Sequence, residues 1–214
     1  MTSLSEKSPG AQERSEMGGL TEPPTTPKST TSQTFTLPSN VQAHLDHRQR
    51  YLIKDYQGHV FDIEAGRIEP VSRIVQQPVQ DLSSENLSNN NFNRTRTQRF
   101  KLANAYDGYV TIDLLGTNCC LDVEANLVKS GTNIILWTKQ TCRGKFNQQW
   151  KIVERGLNDN GEKLYSFHTR ENEEFCLDVH LAKNHELVIW KFHGKSNQLF
   201  TCEEAAIFAV PPKN

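Results

Sequence analysis

Two strings in this chain set a carboxylate, a tryptophan and an amide pair in the same order: Asp122, Trp137 and Asn147-Gln148, then Asp178, Trp190 and Asn197-Gln198. A carboxylate gives charge-assisted acceptors, an amide both donates and accepts, and an indole covers C–H surface. Side chains of these types are able to hydrogen-bond and to stack. Proton-transfer chemistry has no comparable signature, because no two acidic residues stand out as an acid/base couple. The chain also has no Gly-x-Ser-x-Gly elbow, phosphate-cradling glycine loop or dinucleotide fingerprint. The expectation is a protein that is not an enzyme and needs no cofactor. The seven histidines are scattered, and the five cysteines contain no CxxC pair, so no metal site is expected either.

Short β-rich segments must position these residues. From Tyr51 onward, runs rich in Val, Ile, Phe, Tyr and Trp alternate with polar turns such as Asp107-Gly108 and Asp159-Asn160-Gly161. Strands are read near 51–56, 59–63, 73–76, 98–103, 108–114, 120–124, 133–138, 149–154, 164–169, 175–180, 187–192 and 198–202. No stretch sustains a helical period. Before them, residues 1–45 are dominated by Ser, Thr, Pro, Glu, Gln and Gly, which predicts a disordered tail. Ser8-Pro9 and Thr26-Pro27 are common dipeptides in such a leader.

The strands repeat. Phe61-Asp62-Ile63, Leu121-Asp122-Val123 and Leu177-Asp178-Val179 each place an aspartate between two large apolar residues. A second apolar strand follows each: Ile74-Val75-Gln76-Gln77, Ile134-Ile135-Leu136-Trp137 and Leu187-Val188-Ile189-Trp190. Each copy closes on Gln-x-aromatic, at Gln98-Arg99-Phe100, Gln148-Gln149-Trp150 and Gln198-Leu199-Phe200. A unit of four strands that recurs three times can bury its core only by closing on its copies. The expected fold is all-β, a β-trefoil at 46–204, flanked by the tail and a C-terminal extension at 205–214. The first copy carries a polar insertion at 83–91, which a surface loop accommodates at small entropic cost.

Cys120-Leu121-Asp122-Val123…Leu136-Trp137…Asn147-Gln148-Gln149-Trp150 and its partner string from Cys176 to Phe200 resemble the ricin-type lectin repeat, with its Gln-x-Trp signature. The resemblance spans about residues 48 to 204 and is most specific in copies two and three. It implies shallow sugar sites, typically for galactose or N-acetylgalactosamine. Asp122 and Asp178 would accept from sugar hydroxyls, Trp137 and Trp190 would stack, and Asn147-Gln148 and Asn197-Gln198 would complete each site. Copy one has Gln77 at the stacking position and Thr97 in place of the asparagine, so no sugar site is expected there. Ile135 and Val188 stand where the family often has a polar residue, which removes one hydroxyl contact per site. The family disulfide maps to Cys120 with Cys142, whereas Cys176 meets His193 in place of a cysteine.

Each assignment has a structural alternative. Trp150, Phe200 and Phe100 belong in the core. The three repeat glutamines either touch ligand or satisfy buried backbone groups. Asp122 and Asp178 either bind ligand or tie down a loop, and the side-chain exposure of Trp137 and Trp190 discriminates between stacking and core.

Lys+Arg (24) and Asp+Glu (25) nearly cancel, and Arg94, Arg96 and Arg99 form only a small cluster. Nucleic acid is therefore not an expected partner. No window approaches the roughly 20 apolar residues of a membrane span. The N-terminus shows no apolar h-region, so a cytoplasmic protein with reduced thiols is expected, in which the sequons at Asn86 and Asn93 mean little. Partners would be glycans or glycoproteins, and homo-oligomers are compatible with weak single sites. The competing reading is an interaction scaffold or protease inhibitor that keeps the fold without the sugar site.

Overall fold

The computed structural model describes residues 45–80, 96–140 and 144–205. The N-terminal tail up to residue 44, the insertion at 83–91, Arg94, Cys142, the sequons and the C-terminal extension beyond residue 205 lie outside the described residues.

Among the described residues, twelve strands follow one another in three sets of four. The first set is β1 (Tyr51–Lys54), β2 (Val60–Ile63), β3 (Ile74–Gln77) and β4 (Phe100–Asn104). The second is β5 (Val110–Leu114), β6 (Cys119–Val123), β7 (Thr132–Thr138) and β8 (Trp150–Leu157). The third is β9 (Lys163–Thr169), β10 (Phe175–His180), β11 (Glu186–Lys191) and β12 (Thr201–Glu204). Every expected strand is present, with ends moved by at most three residues. The repeat glutamines are the main departure. Gln98 and Gln198, expected to open strands, instead precede β4 and β12, and Gln198, like Gln148, sits in a 3-10 turn (Ser196–Gln198 and Phe146–Gln148).

The first and fourth strands of each set build a closed ring. β1 pairs with β4, β4 with β5, β5 with β8, β8 with β9, and β12 with β1. Tyr165 and Phe200 complete the circuit between β9 and β12 by exchanging backbone hydrogen bonds of 2.8 and 2.9 Å. A closed ring leaves no exposed sheet edge. The second and third strands form three antiparallel hairpins, β2–β3, β6–β7 and β10–β11. These hairpins meet one another where β11 pairs with both β3 and β7, and Arg73 bridges to Ile135. A six-strand ring capped by a triplet of hairpins is the β-trefoil arrangement.

Strand alternation then sorts every side chain. In β6 and β7, Leu121, Val123, Ile134 and Leu136 enter the core, as do Leu177, Val179, Leu187 and Ile189 in β10 and β11. Period-two geometry sends Asp122, Ile135 and Trp137, and likewise Asp178, Val188 and Trp190, to the opposite face. Phe100, Trp150 and Phe200 close the ring interior and are fully buried, as the repeat requires. Phe61 meets Phe100 and Phe200 edge-on, with centroids 6.2 and 5.2 Å apart, an arrangement favoured by the ring quadrupoles.

Candidate functional site

Each aspartate leaves its strand beside a tight turn. β6 ends at Val123 and the chain bends through the 3-10 turn Glu124–Asn126, where Ala125 takes a left-handed φ of 54°. The first set does the same at Glu64–Gly66, with Ala65 at 54°. The bend opens a cleft outside the hairpin. Across the hairpin, Asp122 faces Ile135 and Asp178 faces Val188, so the two aliphatic substitutions lie directly beside the two carboxylates.

In the second set the four expected residues converge. Asn147 Nδ2 donates to both carboxylate oxygens of Asp122 at 2.9 Å. Gln148 Nε2 donates to Asp122 Oδ2 at 2.8 Å and to the Thr138 carbonyl at 3.1 Å, and its Oε1 accepts from the Gln140 backbone N–H at 2.8 Å. Gln148 is buried, with its amide committed on both sides. It ties Asp122 to the end of β7. Asp122, Asn147 and Trp137 line a cleft of about 430 Å³, with Trp137 half-buried in its wall. Lys145 and Glu124 stand at its rim.

Asp122 is only 3% exposed. Burial pushes its carboxyl above the usual range, and the Gln148 and Asn147 amides together with the Lys145 charge oppose that push. Three amide hydrogen bonds anchor the carboxylate in the lining of the cleft.

The third set keeps the plan with a looser grip. Asn197 Nδ2 donates to Asp178 Oδ1 at 2.9 Å, and the imidazole Nε2 of His193 lies 3.4 Å from Oδ2. Gln198 accepts from the His193 and Gly194 backbone N–H groups at 2.8 and 3.2 Å and donates to the Lys191 carbonyl at 3.2 Å. Burial again raises the Asp178 carboxyl, against the Gln198 amide, the His193 ring and Asn197. Trp190 is 37% exposed, and its indole meets His180 edge-on at 6.0 Å.

The first set retains only the anchor. Gln98 Nε2 donates to Asp62 Oδ2 at 2.9 Å and to the Pro78 carbonyl at 3.0 Å, and its Oε1 accepts from Gln80 N–H at 2.9 Å. Gln77 is exposed where the tryptophans stand in the other copies, and Thr97 is buried. The three glutamines thus share one job, clamping the aspartate's hairpin to the chain that follows it. His193 is the neighbour that motif reading missed as a site group. Its place was visible as the histidine three residues after Trp190, but nothing in its spacing pointed at Asp178.

Among the described residues Cys119, Cys120, Cys176 and Cys202 are free, and Cys142, the partner implied for Cys120, lies outside them. Burial pushes the Cys120 and Cys176 thiols well above their ordinary range, which keeps them protonated and unreactive. Among the described residues no cluster of His, Cys, Asp and Glu could hold a metal ion, and no helix is long and apolar enough to cross a membrane.

Residues 108–210 match the model of the ricin-type beta-trefoil lectin domain. Among solved structures, the chain is similar to the designed threefold symmetric protein ThreeFoil (20% identity, TM-score 0.56, 75% of this chain and 100% of that one). It is also similar to the C-half of the earthworm R-type lectin in complex with GalNAc (18%, 0.50, 73% and 99%). A third is the exo-beta-1,3-galactanase 1,3Gal43A from Clostridium thermocellum (20%, 0.57), where 76% of this chain covers 31% of that one. The chain therefore spans about a third of the galactanase. At these identities the likeness is one of fold. No curated protein matches the chain.

Proposed function

We propose, from the premise that residues 108–210 form a ricin-type β-trefoil lectin domain, that this protein binds galactose-type sugars without catalysis, through the second and third sets of strands. The observation that carries this reading is the cleft itself. Trp137 is half-buried in its wall beside Asp122 and Asn147, the exposure that stacking requires and that a core tryptophan would lack.

The roles divide by position: Asp122, Asn147 and Trp137 line the cleft, whereas Gln148 lies behind it. Asp122 and Asp178 accept from sugar hydroxyls, Asn147 and Asn197 orient them and add an amide, and Trp137 and Trp190 cover the sugar's C–H face. Gln148 and Gln198 act as positioning residues, since both are buried with their amides spent on protein partners. Ile135 and Val188 offer no hydroxyl partner, so each site makes few polar contacts. Weak single sites and useful avidity across two of them follow.

The scaffold reading is favoured by one observation, the His193 ring standing 3.4 Å from Asp178 where a hydroxyl would bind. Titration of Trp190→Ala separates the two readings for the third set: a lectin site loses a class of binding, whereas a scaffold loses none.

A further inference from the structure

The far wall of the second site comes from the first set of strands. We propose that Val71 is the specificity-determining residue of that site, and that it selects a hexose carrying an N-acetyl group by packing the acetamido methyl. This rests on the carbohydrate-binding reading above.

Val71 is 59% exposed and has a φ of +67°, in the left-handed region that β-branched residues rarely enter. Two backbone hydrogen bonds to β7 hold it there: Val71 N–H donates to the Leu136 carbonyl at 3.0 Å, and Leu136 N–H to the Ser72 carbonyl at 2.8 Å. Its threefold equivalent is Gly131, since each stands nine residues after its aspartate, Asp62 or Asp122. Gly131 has a φ of +86° and donates to the Ile189 carbonyl at 2.9 Å, repeating the contact one unit further round.

The equivalence says where the valine side chain lies. A Cβ on Gly131 would meet Cζ3 of Trp190 at 3.6 Å, ordinary contact distance. The corresponding Cβ of Val71 is directed at the Trp137 side of the neighbouring site, and Val71, Ile135 and Trp137 line one cleft. The first set has therefore put an isopropyl group where the repeat's unstrained solution is glycine. Strain of this kind persists where the surroundings over-determine it, and ligand clamps are such places.

The cleft lining is therefore mixed: Asp122 and Asn147 are polar, Val71, Ala125 and Ile135 are apolar, and Ile135 stands across the hairpin from Asp122. A hydroxyl directed at the Val71 side chain would lose water without gaining a partner there. An acetamido methyl would bury against it. In the third site Gly131 leaves that wall absent, so the two sites differ in selectivity although their polar residues match.

The test uses the full chain, whose three tryptophans separate the sites: Trp150 is fully buried, so the indole N–H resonances of Trp137 and Trp190 report one site each. Assignment comes from Trp137→Phe and Trp190→Phe, and the ligands are galactose and N-acetylgalactosamine. At Trp137 the N-acetyl sugar is expected to bind about fourfold tighter, the gain for burying one methyl group. At Trp190 the two sugars should bind alike. Val71→Gly should bring the ratio at Trp137 close to one while holding or raising the melting temperature, because glycine adopts this backbone freely. A ratio at Trp137 unchanged by Val71→Gly, or the same ratio at both indoles, would overturn the role given to Val71. Silence of both indoles towards both sugars would instead overturn the carbohydrate-binding reading, and this inference with it.

Discussion

Asn147 grips both carboxylate oxygens of Asp122, whereas Asn197 holds one oxygen of Asp178 and the His193 ring faces the other. The same hairpin and turn have therefore produced one carboxylate held by amides and one shared with a titratable group. The two sites should respond differently to mutation and to pH.

The tryptophans should be needed for binding and nearly dispensable for folding. Trp190 is 37% exposed and stands past the core-facing part of β11, so Trp190→Ala should abolish sugar binding at the third site and shift the melting temperature by only a degree or two. Asp178→Ala should also abolish that binding. Calorimetric titration alongside thermal melts reads both effects, and a collapse of the melt in Trp190→Ala would return that side chain to the core.

Gln148→Ala should behave in the opposite way. It strands the Gln140 N–H and the Thr138 carbonyl and removes a donor from a buried carboxylate. Leaving such groups unsatisfied costs about 1–3 kcal/mol, several degrees in a domain of this size. Thermal denaturation should show the loss before any sugar is added. Weakened binding with an unchanged melt would make Gln148 a direct contact.

Binding at the second site should weaken on acidification earlier than an ordinary aspartate predicts. The raised carboxyl of Asp122 takes up its proton at a pH above the usual value near 4. Protonation removes the charge-assisted acceptor, so affinity falls as pH falls through that raised value. The effect on folding has the other sign: the native state binds this proton more readily, so the group costs stability as pH rises through the same window. Affinity measured at Trp137 down the pH scale checks the first statement, and Asp122→Asn should flatten the dependence.

His168 supplies a separate acid response. Its Nδ1 donates to the Glu173 carbonyl at 2.7 Å, and its Nε2 faces Arg155 and Ser166 at 2.8 and 2.9 Å, so the ring is held neutral. Burial, helped by the Arg155 and Lys151 charges and opposed by Glu173, pushes it down to about 4. The unfolded ring titrates near 6.5, so its stabilising contribution is complete above that pH and is lost between about 6.5 and 4. His168→Gln should remove this slope from a plot of stability against pH, whatever its effect at neutral pH.

The strand order was legible because each copy repeats one apolar period and one aspartate. Leu121-Asp122-Val123 already states that the aspartate leaves the core face while its neighbours enter it. The core aromatics were legible for the same reason. The glutamines were not. Gln148 has one appearance in sequence whether it touches a ligand or a buried carbonyl, and only the closure of the 3-10 turn decides. Nor was Val71, because its contribution crosses from one copy into the next, and sequence reading treats each copy as owning its own site. The His193 contact was hidden likewise, since it arises from the path of the chain after β11.

The central claim is carbohydrate binding by the second and third sets of strands. Calorimetric titration of the full chain with galactose and N-acetylgalactosamine tests it most directly, with circular dichroism confirming the β fold. Weak binding is expected, roughly millimolar per site, at two sites that Trp137→Ala and Trp190→Ala remove one at a time. Absence of binding at tens of millimolar sugar (roughly ten times that affinity) in a folded protein would contradict it.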